Sequence, residues 1–171
     1  MTIIQHYTRR RAVDTGSGRE IKVPNTLPPY NTGRAIFLAG SIEMGAADKW
    51  QVGAANEFVE ANWFVLNPRR DDWDSSWVQS IDNQPFREQV EWELDAMDRA
   101  EVILLYFDPA TKSPISLLEL GLYAESGKLR VVCPSGFWRK GNIEIVCKRH
   151  DIALWDKLED AMSAIHEEWE G

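Results

Sequence analysis

The sequence predicts an α/β sandwich in which helices cover both faces of a five-stranded parallel sheet. Three observations carry that expectation. The run Val102-Ile-Leu-Leu-Tyr-Phe107 is apolar throughout, as a strand buried on both faces must be. From Arg34 onward, short apolar runs alternate with segments of helical spacing, the order that builds a parallel sheet by right-handed crossovers. The 171 residues, 44% apolar and 27% charged, suit one soluble domain with a single sizeable core.

Residues 1–33 read as an N-terminal extension. In it Ile3 to Val13 and Arg19 to Val23 flank Asp14-Thr-Gly-Ser-Gly18 as a plausible hairpin, and Pro24, Pro28, Pro29 and Gly33 mark an extended connector. The domain proper is expected over 34–171. Its first strand is Ala35-Ile-Phe-Leu-Ala39, ended by Gly40-Ser41. A helix from Ala46 to Ala61 follows, with Trp50, Ala54, Phe58 and Ala61 at helical spacing, then a strand from Trp63 to Leu66. Residues 67–84 form a long polar loop. Pro85 opens a helix to Arg99, its ring tolerated in a first turn that needs no amide donor. Its core face is expected at Phe86, Val90, Leu94 and Met97. After the strand Val102–Phe107, Asp108-Pro109 breaks the chain and a helix runs from Pro114 to about Gly127. The strand Arg130–Cys133, a helix over Asn142–Arg149, the strand Ile152–Leu154 and a helix from Lys157 to Trp169 complete the order.

The 19 basic and 27 acidic residues leave a formal charge of −8, which argues against a nucleic-acid polymer or an anionic membrane as partner. The two cysteines, Cys133 and Cys147, have no close Cys or His companions, so neither a disulfide framework nor a zinc site is expected. No stretch reaches membrane-spanning length and no apolar signal core is visible, so a cytoplasmic location is expected. No glycine pattern that cradles phosphates follows the first strand, no metal set is evident, and no cofactor is expected.

Glu119 leads the candidates for chemistry. It lies in Ser113-Pro-Ile-Ser-Leu-Leu-Glu119-Leu-Gly-Leu-Tyr-Ala124, among leucines and beyond the carboxyl end of a central strand, where such sheets bind ligands. A carboxylate is costly to bury there without a task; the competing reading turns it outward to solvent. Glu93 falls on the inner stripe of the preceding helix, whereas Glu88, Glu91, Asp95 and Asp98 lie outward. Two neighbouring desolvated carboxyls resist ionising together, so they can divide labour, Glu119 as ionised nucleophile and Glu93 as neutral proton donor. Otherwise Glu93 serves a backbone amide or an arginine. Gly40-Ser41 offers bare backbone to a ligand. The loop Asn67-Pro-Arg-Arg-Asp-Asp-Trp-Asp-Ser-Ser-Trp77, with Asp72 and Trp73 at its centre, suits stacking and edge recognition of a flat heterocycle, or else is a surface loop tied by Arg–Asp pairs. His6, His150 and His166 form no catalytic set.

The segments Ile36-Phe-Leu-Ala-Gly-Ser41, Trp92-Glu-Leu94, Glu101-Val-Ile-Leu104 and Glu119-Leu-Gly-Leu-Tyr-Ala124 resemble the nucleoside 2-deoxyribosyltransferase family and its deoxynucleoside-monophosphate N-glycosidase relatives, across most of 34–155. The resemblance implies a flavodoxin-like, Rossmann-like sandwich. It also implies a glutamate, here Glu119, that attacks the anomeric carbon, and an acid, here Glu93, that protonates the departing base. A deoxynucleoside and a free nucleobase are the implied partners. A homo-oligomer, a dimer or an assembly of dimers, is implied too, with a residue matching Asn142 completing a neighbour's site. The chain departs from the pattern at three places. Phe37 stands where members often have a Tyr that holds the nucleophile. Ser113 replaces the carboxylate many transferases set on the sugar, as in the monophosphate hydrolases. Glu43 stands where those hydrolases have a phosphate-binding Arg. The expected activity is therefore deoxyribosyl transfer between bases, with monophosphate hydrolysis, or a non-catalytic nucleotide-binding module, as alternatives.

Overall fold

The computed structural model describes residues 17–30, 33–42, 49–72 and 74–170. The elements run β1 (Arg19–Lys22), β2 (Ala35–Gly40), α1 (Trp50–Glu60), β3 (Phe64–Asn67), α2 (Gln84–Arg99), β4 (Val102–Tyr106), α3 (Pro114–Tyr123), β5 (Leu129–Val132), α4 (Lys140–Arg149), β6 (Ala153–Trp155) and α5 (Leu158–Glu170). The sheet is parallel throughout, in the order β1-β3-β2-β4-β5-β6.

All five expected strands are present, and there is a sixth. Arg19–Lys22, assigned by sequence to a hairpin arm in the extension, lies instead along β3 in parallel register, Arg19 beside Phe64 and Lys22 beside Asn67. One apolar side chain, the buried Ile21, anchors it. Its polar residues hold the rim: Asn67 Nδ2 donates to Glu20 Oε1 at 2.6 Å, and Lys22 pairs with Asp71 at 3.0 Å. The other hairpin arm, and residues 43–48 with Glu43 and the expected start of α1, lie outside the described residues.

Right-handed crossovers place α2, α3 and α4 on one face and α1 and α5 on the other. The core divides accordingly. Phe37, Ala39, Ile103 and Leu105 pack against Met97, Leu120, Ile143 and Cys147, while Ile36, Leu38 and Leu104 pack against Phe58, Trp63, Met162 and Ile165. The chain leaves β2 towards one edge and β4 towards the other, so the switch point falls between the ends of these two strands. Gly40 sits there with φ +131°, and a Cβ would lie 2.2 Å from Tyr106 O, so only glycine lets the two strand ends approach this closely.

The helix α2 is capped by Asn83, whose side chain accepts from Phe86 N at 3.1 Å. Its inward stripe differs from the expected one. Gln89, Ala96 and Met97 are buried, whereas Leu94 is 38% exposed. Gln89 and half-buried Glu93 sit on the inner side with Ala96 and Met97, at Leu94's expense.

Candidate active site

Glu93 and Glu119 lie on adjacent helices. The Tyr123 hydroxyl ties α3 to α2, donating to Asp98 Oδ1 at 2.8 Å, with Leu94 O at 3.4 Å. Beneath both helices, Phe37 is buried in the floor of the sheet. Both carboxyls are half-buried, so they keep a share of solvent without facing bulk water. Leu120 is buried beside Glu119, but Leu118 is exposed, so the leucine wrapping is one-sided.

Desolvation pushes Glu119 up to about 8, and the neighbouring Glu93 charge adds to it. Desolvation also raises Glu93, to about 7, and a bond from Gln89 opposes the rise. Gln89 Nε2 donates to Glu93 Oε1 at 2.6 Å, whereas among the described residues no hydrogen bond lowers Glu119. Near neutrality both carboxyls therefore resist ionising, and the pair can share a proton between its two sites.

At the switch point, Ser41 and Ser113 meet, and Thr111 completes a buried group of hydroxyls. Thr111 Oγ1 lies 2.9 Å from Ser41 Oγ, 2.7 Å from Ser113 Oγ and 2.8 Å from Asp108 O. Asp108 N donates to Ser41 Oγ at 2.9 Å. The three side chains are 1% to 4% exposed. Ser113 is also the N-cap of α3 and adopts φ +46°, ψ +54°, a left-handed conformation that costs a non-glycine residue energy. The hydroxyl contacts hold it there. Trp138, its indole between Lys112 and Arg139, donates to Lys112 O at 3.0 Å and pins the loop just before Ser113.

The other candidates are placed as follows. Asp72 is exposed and accepts two bonds from Arg70, at 2.9 and 3.2 Å, which hold its carboxyl below the usual range. Arg70 also lies 4.9 Å from the Trp77 ring centre and reaches Gln89 Oε1 at 3.5 Å, so a continuous path runs from Asp72 to Glu93. Trp73 lies outside the described residues. Asn142 is exposed in the first turn of α4. The sequence reading missed Gln89 and Thr111. Gln89 could have been found from its place four residues before Glu93, and Thr111 from its adjacency to Ser113.

A cleft of about 590 Å³ opens at the strand ends on the α1 and α5 side, lined by Trp50, Tyr106, Asp156 and Lys157 among others; Glu93 and Glu119 do not line it. Among the described residues, no three His, Cys, Asp or Glu side chains gather to hold a metal ion. No described helix is long and apolar enough to cross a membrane.

The arrangement can hold one proton next to one carboxylate in a partly dry site, which suits bond cleavage that needs both an acid and an anion. Residues 33–137 match the family described as nucleoside 2-deoxyribosyltransferase like. No curated protein matches the chain.

Proposed function

The chain belongs to the nucleoside 2-deoxyribosyltransferase-like family, and from that premise we propose that it cleaves the N-glycosidic bond of a 2′-deoxynucleoside and passes the sugar to an acceptor base. The half-buried carboxyl pair on α2 and α3 carries this reading. With substrate bound, Glu93 carries the shared proton and Glu119 is ionised. The Glu119 carboxylate bonds to C1′ as the C1′–N pair leaves with the base, and Glu93 protonates that nitrogen. The incoming base then attacks C1′, its N–H proton returns to Glu93, and the bond to Glu119 breaks. Ser41 and Ser113 bond to each other and to Thr111, which supports an unphosphorylated 5′-carbon over a monophosphate.

The same reading includes assembly of copies in the cytoplasm, with Asn142 serving a neighbouring site. Ile115, Leu118 and Leu122 form an apolar stripe, each at least 60% exposed, on the outer side of α3, a surface that a second copy would cover.

Incubation with deoxyinosine and free adenine tests the chemistry. New deoxyadenosine supports transfer; hypoxanthine release without exchange makes the enzyme a hydrolase; no cleavage of deoxyinosine or of its 5′-monophosphate overturns the reading. Glu119→Ala should abolish turnover in a folded protein.

A further inference from the structure

Gln89 is 5% exposed and every polar atom of its side chain is engaged. Its Nε2 donates to Pro68 O at 3.1 Å and to Glu93 Oε1 at 2.6 Å, and its Oε1 accepts from Arg70 Nη1 at 3.5 Å. The amide cannot be turned over. A flipped group would set its oxygen against the Pro68 carbonyl and the Glu93 carboxyl, and its NH₂ against the Arg70 cation. Gln89 therefore always donates, and Glu93 Oε1 is always an acceptor.

We propose that Gln89 is a positioning residue that confines the proton of Glu93 to Oε2 and ties that choice, through Pro68 and Arg70, to the loop bearing Asp72. This deepens the proposed transfer chemistry and rests on it for the use made of the proton. When Glu93 acts as acid, the proton leaves Oε2 for the base nitrogen while the C1′–N electron pair goes to the base. Oε1 keeps its bond to Gln89 before and after, so the carboxyl does not have to rotate between donating and accepting.

Among the described residues, few charges compete for control of Glu93. Glu119 faces it from α3, and Arg70 reaches it only through Gln89. The strands beneath, β2 and β4, carry no charged side chain, and its neighbours one turn away on α2 are Gln89, Val90, Ala96 and Met97. Among the described residues, Gln89 supplies the hydrogen bond that favours the charged form of Glu93.

The test is a carboxyl-carbon NMR titration of ¹³C-glutamate-labelled protein, with the Glu93 signal assigned by its loss in Glu93→Gln. Wild type is compared with Gln89→Met, similar in volume but without the amide, and with Gln89→Glu, nearly isosteric and therefore a safeguard if the first variant fails to fold. Removing a donor to a charged group should raise the Glu93 proton affinity roughly tenfold in either variant. With deoxynucleosides, kcat should fall roughly tenfold while KM changes little, and the pH optimum should move upward. An unchanged Glu93 midpoint in a folded variant overturns the positioning role. Failure of the catalytic reading looks different: there Glu93→Gln leaves cleavage rates intact although the Gln89 variants still move the Glu93 titration.

Discussion

Replacing Glu119 by glutamine should make the protein more stable and inactive, and the gain should depend on pH. In the unfolded chain this carboxyl ionises near 4.5; in the folded protein it holds its proton to about 8. A raised carboxyl affinity means that the folded state binds a proton the unfolded state has already released, so stability falls as pH rises from 4.5 towards 8 and levels off above. Each pH unit within that window is worth about 1.4 kcal/mol, giving about 3 kcal/mol at pH 7 and about 1 kcal/mol at pH 5. Solvent reaching the half-buried group screens part of this, so about 2 kcal/mol is the working figure near neutrality. Glutamine keeps the shape and never ionises, so it recovers that cost. Urea unfolding of both proteins at pH 5 and pH 8 measures it. Equal differences at the two pH values, or a variant less stable at pH 8, would refute the desolvation argument, whatever happens to activity.

Glu93→Gln should slow base departure, most for poorly departing bases; single-turnover rates across a series of deoxynucleosides check this, and equal rates count against the acid role. Thr111→Val removes the hydroxyl lying between Ser41, Ser113 and Asp108 O, and should cost about 2 kcal/mol in urea unfolding. Gly40→Ala drives a methyl to within 2.2 Å of a carbonyl in a disfavoured backbone conformation, and should cost about 3 kcal/mol or more by the same measurement.

What the sequence revealed follows burial. Val102–Tyr106 is apolar because both faces are covered, and its pattern was unmistakable. Arg19–Lys22 is an edge strand with one buried apolar residue among charges, the composition that protects an edge and hides it from periodicity. The stripe on α2 was rotated because Leu94 seemed a natural core residue while Gln89 looked like surface. An amide enters a core only when all its bonds are made, and two of Gln89's three partners, Pro68 and Arg70, are distant in sequence. Glu93 and Glu119 were legible as inward acids among apolar neighbours. The bond from Gln89 to Glu93 was not, since only the folded chain makes it.

The bend at Ser113 has a consequence for how this chain can change. Glu119 stands six residues beyond it, about 9 Å along the helix axis, and each residue of α3 advances by roughly 100° around that axis. The three hydroxyls thus act as an index pin, fixing the direction in which a side chain more than a turn away will point. Lengthening the stretch between Asp108 and Ser113 would pull buried Thr111 out of that group and loosen the pin. A single residue inserted between Ser113 and Glu119 would swing the carboxylate away from its partner and carry the core residues Leu120 and Tyr123 round with it.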